Sequence, residues 1–128
     1  MSSVVLDASA LLVLLNGEPG AEKLTPQLLG NATSSTVNLA EVQSKLVSRG
    51  MEPDDAWEAT ISPIREATVF SAEQAKLAGS LIAHTGALGL SLGDRACLAL
   101  GIALQAPIYT ADKSWKNLRL GARIHLVR

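Results

Sequence analysis

Residues 4–12, Val4-Val5-Leu6-Asp7-Ala8-Ser9-Ala10-Leu11-Leu12, decide how this chain is read. Three apolar, strand-favouring residues stop at an aspartate, and "ASALLVLLNG" then carries helix formers to a stop near Gly17. A short unbroken apolar run is the pattern of a strand covered on both faces, and an immediate helix after it is the start of a parallel α/β unit. The acid sits at the joint.

The same pattern recurs outward from there. Strands are expected at residues 32–34, 66–70, 108–110 and 123–127. A helix is expected over about residues 21–29, with Pro26 in its first turn or kinking it. Others are expected over "VNLAEVQSKLVSR" closed by Gly50, over "EPDDAWEATI", over residues 72–85 behind a Ser71 cap, and from Asp94 to Leu104. Strands alternating with helices predict one domain spanning residues 1–128. Its expected fold is α/β, an α/β/α sandwich around a central, mainly parallel sheet.

Composition agrees with one packed domain. Hydrophobic residues make up 48% of the 128, with one Tyr, one Phe and two Trp, so aliphatic and alanine packing must form the core. The single cysteine, Cys97, excludes an internal disulfide and fits a reducing cytoplasm. The apolar run Leu11–Leu15 is too short to span a bilayer, and no targeting segment is visible, so the expectation is a cytoplasmic protein without membrane attachment. The net charge of −1 hides an asymmetry: residues 1–75 hold four basic and ten acidic side chains, residues 76–128 seven and two. A polyanion can therefore approach the C-terminal half through Arg95, Lys113, Lys116, Arg119 and Arg123, although the same charges also suit an ordinary solvated surface.

Both acids of that half stand at element ends. Asp94 opens the most apolar helix and Asp112 follows the strand-like Ile108-Tyr109-Thr110; Asp7 ends the first strand and Glu41 lies one turn into a helix. In an open parallel sheet such positions converge on one crevice outside the carboxyl ends of the strands. Four carboxylates in one crevice repel each other and raise at least one pKa unless a cation holds them. Oxygen ligands without histidine or cysteine nearby favour a hard divalent ion, Mg²⁺ or Mn²⁺, over zinc. Such an ion suits phosphodiester chemistry.

Four segments in order, "VLDASALL", "NLAEV", "LSLGDRACLAL" and "YTADKSW", resemble the PIN domain over residues 4 to about 127. More narrowly they resemble the VapC group of toxin ribonucleases from type II toxin–antitoxin operons. The resemblance implies that Asp7, Glu41, Asp94 and Asp112 are the catalytic acids that hold Mg²⁺ or Mn²⁺. It aligns Ser9 and Thr110 with hydroxyls beside the first and last acids, and Trp115 with an aromatic position. It also implies an RNA substrate, a homodimer and a cognate antitoxin. Arg95 is a candidate contact for substrate phosphate, or an ion-pair partner for a neighbouring acid.

Each acid alone has a purely structural reading as well. Asp7 or Ser9 can cap the first helix, Asp94 can cap its own, Glu41 can pair with Lys45, and Asp112 can shape a turn. Cys97, His84, His125 and Trp57 read as packing or surface residues. Two other functions fit the same sequence: a housekeeping PIN ribonuclease in RNA maturation, and a catalytically inactive RNA- or protein-binding module.

Overall fold

The computed structural model describes residues 3–128, in which five strands form one sheet in the order β3-β2-β1-β4-β5, every neighbouring pair parallel. The strands are β1 (Val4–Leu6), β2 (Ala32–Ser35), β3 (Glu66–Thr68), β4 (Ile108–Thr110) and β5 (Ile124–Leu126). The longer helices are α1 (Ala8–Leu15), α3 (Thr36–Ser48), α4 (Pro53–Ile61), α5 (Ala72–Ser80) and α7 (Leu92–Leu104); α2 (Pro26–Leu29) and α6 (Ile82–Thr85) are single turns. Parallel neighbours need crossovers, and the helices between strands supply them.

The first strand shows why the sheet is buried. Val5 and Leu6 point to opposite faces, as successive strand residues must. Both are wholly inaccessible to solvent. Val5 packs in one apolar cluster with Leu98, Leu100, Ile108 and Trp115, from α7, β4 and the turn after β4. Leu6 packs in another with Leu11, Leu39 and Val42, from α1 and α3. Two cores on two faces make the expected sandwich. Among the described residues no helix is long and apolar enough to cross a membrane.

Three expected elements come out differently, each for a local reason. Residues 21–29 are not one helix but a 3₁₀ turn, Ala21–Lys23, followed by α2. Pro26 lacks an amide hydrogen and starts α2 rather than continuing the turn, with Thr25 Oγ1 accepting from the Leu28 amide at 3.2 Å. The helix expected over residues 72–85 breaks after Ser80. There the Ala78 carbonyl, which a continuous helix would give to the Ile82 amide, instead accepts from Arg95 Nη1 at 2.9 Å. Strand β3 ends at Thr68 rather than Phe70, because the Phe70 amide turns to Thr36 Oγ1 at 3.1 Å.

The chain order reverses at β1, which lies between β2 and β4. Ligand crevices form at such switch points, and the acids are gathered there.

Candidate metal centre

Asp7 leaves β1 and immediately caps α1, its Oδ1 accepting from the Ala10 amide at 2.8 Å. The capping role and the site role therefore coexist. Its second partner is Ser9, whose hydroxyl lies 2.7 Å from Oδ1 and 2.9 Å from Oδ2. The third is Thr110 at the end of β4, donating to Oδ2 at 2.6 Å. Ser9 Oγ also accepts from the Ala111 amide at 2.9 Å, which ties α1 to the segment after β4.

Asp112 follows. It caps the 3₁₀ turn Lys113–Asn117, with Oδ1 accepting from the Ser114 amide at 2.9 Å and the Ser114 hydroxyl at 2.7 Å. Trp115, wholly buried in the same turn, anchors it to the core.

The opposite wall comes from α3 and α7. Glu41 Oε1 accepts from Asn38 Nδ2 at 2.8 Å, and the same nitrogen lies 3.0 Å from the Gly93 carbonyl. Gly93 lies directly against Glu41: a Cβ added there would meet the Glu41 carboxylate and push it aside. Asp94 occupies the third position of α7 rather than opening the helix as expected. Ser91 is the cap, and the pair forms a capping box, with the Ser91 amide donating to Asp94 Oδ2 at 2.9 Å.

All four carboxylates line one cavity of about 230 Å³, together with Ser9, Asn38 and Lys45. Thr110 stands behind Asp7. Arg95 is not in the lining; its Nη1 donates to the Ala78 carbonyl, and among the described residues it pairs with no acid. The Glu41–Lys45 ion pair of the alternative, structural reading is also absent, since the only ion pair among the described residues joins Arg128 to Glu18. Asn38 and Lys45 were not singled out from sequence as parts of the site. Their signal was helical spacing, three residues before and four after Glu41, which puts both on its face of α3.

The electrostatics separate Asp7 from the others. Burial raises its carboxyl from the ordinary 3.8 to about 6; the Thr110, Ala10 and Ser9 hydrogen bonds oppose this, and the Asp94 charge adds a smaller upward push. Crowding of charge was expected to be the main cause, but desolvation is the larger one. Cys97, buried beneath the pocket, has its thiol pushed well up by burial and then by Asp7, Asp94 and Glu41. It is a packing residue, not a thiolate.

The donor set fits a hard cation. Every carboxylate and hydroxyl in the lining offers oxygen, and no histidine or cysteine lines the pocket. Glu41, Asp94 and Asp112 each have one carboxylate oxygen held by a protein donor and the other without one among the described residues. No three acidic, histidine or cysteine side chains there are close enough together to enclose an ion unaided. Mg²⁺ asks for less, since one or two carboxylates with waters and substrate phosphate hold it.

A family model described as the PIN domain matches residues 4–120. The chain belongs to the PIN domain family. Among solved structures, this PIN domain is similar to a DNA-bound VapBC from Salmonella typhimurium, at 16% identity and TM-score 0.79, covering 100% of both chains. It is similar to a toxin–antitoxin complex from Klebsiella pneumoniae at 16% identity and TM-score 0.77, covering 98% of each. VapBC2 from Rickettsia felis, bound to a fragment of its promoter, follows at 21% identity and TM-score 0.72, covering 95% of this chain and 96% of that one. No curated protein sequence matches.

Proposed function

We propose that this PIN domain is a VapC-type toxin, an endoribonuclease dependent on Mg²⁺ or Mn²⁺ that arrests growth and is neutralised by a cognate antitoxin. The observation that carries the reading is the pocket itself: four carboxylates from four separate segments meet at the switch point of a PIN fold, with oxygen donors only. The fold shared with three toxin–antitoxin structures supports an antitoxin partner; a homodimer and a cytoplasmic setting are part of the same proposal and rest on the resemblance to the VapC group.

One or two of Asp7, Asp94, Glu41 and Asp112 would hold the ion directly, and the others would hold it through its waters. When bound there, it supplies Lewis acidity toward the phosphate and lowers the pKa of a water. The chain's own residues do the positioning. Ser9 and Thr110 direct their hydroxyl hydrogens onto Asp7 and fix its plane. Asn38 holds Glu41 by one oxygen, Ser91 holds Asp94, and Ser114 holds Asp112, so each presents its other oxygen to the cavity. Lys45 is the one cation in the lining and offers charge to an incoming phosphate.

The test uses purified protein and a panel of single-stranded RNAs. Wild type should cleave with Mg²⁺ or Mn²⁺ and stop in EDTA, and Asp94→Asn should lose at least about 100-fold in rate. Induced expression should arrest growth. Cleavage that persists undiminished in EDTA, or an Asp94→Asn variant with wild-type cleavage and toxicity, overturns the reading.

A further inference from the structure

The acid pocket is not the largest depression on the molecule. A concavity of about 620 Å³ runs along the outer edge of the sheet at β5, and Lys116, Arg119, Arg123 and His125 line it. No carboxylate lines it, and among the described residues none pairs with Lys116, Arg119 or Arg123, since the only ion pair there is Arg128–Glu18. Lys116, Arg119, Arg123 and His125 are all exposed. A concave surface that gathers cations without counter-ions is built for an anion.

Three features shape it. The loop between the arginines reverses at Gly121, whose φ of +81° lies in the left-handed region that favours glycine. Arg119 and Arg123, two residues before and two after that glycine, both line the concavity. His125 is held against Tyr109 of β4, the rings stacked with centroids 4.8 Å apart and 14° between planes. Trp115, wholly buried, fixes the turn that carries Lys116.

That turn also joins the two cavities. Its cap, Asp112, lines the acid pocket, and Lys116, four residues on, lines the basic one. At about 2.0 Å rise per residue along a 3₁₀ turn the separation is roughly 8 Å. Arg123 lies at the other end of the sheet edge, its carbonyl accepting from the Ile108 amide at 2.8 Å, so the concavity runs along β5 away from the acid pocket.

We propose that the β5 concavity is a phosphodiester-binding cradle for the single-stranded RNA whose scissile bond lies in the acid pocket, gripping the backbone where the strand leaves that pocket. The cradle rests on the ribonuclease reading. An acidic peptide is the rival occupant, but nothing in the lining selects a peptide, whereas the turn that carries Asp112 at one end and Lys116 in its body favours a strand that leaves the acid pocket along this edge. Arg119 and Arg123 contact phosphate oxygens through planar guanidinium groups, and Lys116 sets the charge at the end nearer the acid pocket.

The experiment is fluorescence anisotropy of a labelled single-stranded RNA with full-length protein in EDTA, so that no cleavage is needed, over a range of salt. Arg119→Glu with Arg123→Glu should weaken binding at least about tenfold and flatten the salt slope by roughly 1.4, two phosphate contacts at about 0.7 each. Arg119→Lys with Arg123→Lys should retain most of both, because the charge remains. If the glutamate pair unfolds in a thermal melt, Arg119→Ala carries the test, with a slope change of about 0.7. Unchanged affinity and slope in a folded variant overturn the cradle. So does loss of poly-glutamate binding with RNA binding unchanged, which would assign the surface to an acidic peptide. The two readings fail separately. Binding through these arginines without metal-dependent cleavage keeps the cradle and removes the ribonuclease; cleavage with binding unaffected by the glutamate pair does the reverse.

Discussion

Twice the chain writes an aspartate two residues before a serine, at Asp7-Ala8-Ser9 after β1 and at Asp112-Lys113-Ser114 after β4, and the two units are built differently. In the first, the serine grips both carboxylate oxygens and also accepts from the Ala111 amide; Asp7 is only 3% exposed and its pKa rises to about 6. In the second, the serine and its own amide both serve one oxygen of Asp112, and the contacts are open to solvent. One motif thus yields a rigid, desolvated carboxylate in one place and an adjustable one in the other. Burial makes the difference. A central strand buried on both faces ends under the pocket, whereas β4 runs on into a surface turn.

The largest effect should come from Asp7→Asn. Cleavage should fall at least about 100-fold, because a ligand charge is lost. Stability should respond in the other direction. A folded-state pKa raised from 3.8 to about 6 means that the folded protein binds more protons than the unfolded chain between those values. The penalty is absent below the lower value, grows as pH rises, and is complete above about 6. Its ceiling is on the order of 3 kcal/mol. Metal-free wild type should therefore melt higher at pH 5 than at pH 7.5, and Asp7→Asn should lose that dependence. Mg²⁺ or Mn²⁺ should restore stability to wild type at pH 7.5, since it binds the folded pocket and not the dispersed acids. Identical pH profiles for the two proteins in EDTA would show that Asp7 is not desolvated.

A second way to break the comparison uses α7, which places one glycine against the site and another against the core. At Gly93 an added Cβ meets the Glu41 carboxylate; at Gly101 it meets Ile108 in β4. Gly93→Ala should leave the melting temperature unchanged or slightly raised, because alanine favours helix, while cleavage drops about 10–100-fold as Glu41 is displaced. Gly101→Ala should do the opposite, costing about 1–3 kcal/mol by overpacking with cleavage kept. If Gly93→Ala proved fully active, or as destabilised as Gly101→Ala, the close approach to Glu41 would have no functional meaning.

Much of this was legible before the structure. Val4-Val5-Leu6 followed by Asp7 carried the parallel sheet and its first acid, and the four acids could be assigned to one crevice from strand ends and helix starts. The supporting residues were less visible because they act through tertiary contact. Nothing local tells that Gly93 lies under Glu41, fifty-two residues away, or that Asn38 links that carboxylate to the Gly93 carbonyl. Arg95 misled for the same reason. Its neighbour in sequence is Asp94, but its partner in space is the Ala78 carbonyl, and that contact also ends α5 earlier than periodicity implied. Pattern reads what lies on one element; it misses what two elements share.

The smallest effect should separate the two serines. Ser9→Ala removes a donor to both oxygens of Asp7 and strands the Ala111 amide in a part-buried place. That costs about 1–3 kcal/mol for the unpaired group, with a clear loss of cleavage as Asp7 loses its orientation. Ser114→Ala removes one of two donors to a single oxygen of Asp112, and the Ser114 amide at 2.9 Å remains. Water can replace the lost hydroxyl at an exposed contact. Stability should change by less than about 0.5 kcal/mol, as for surface substitutions generally. Cleavage should fall no more than a few-fold. Both variants are to be compared with wild type in thermal melts and in cleavage rates at saturating and limiting Mg²⁺. Equal losses from the two would mean that burial does not distinguish the two Asp-x-Ser units. A larger loss from Ser114→Ala would make Asp112, not Asp7, the fixed point of the pocket.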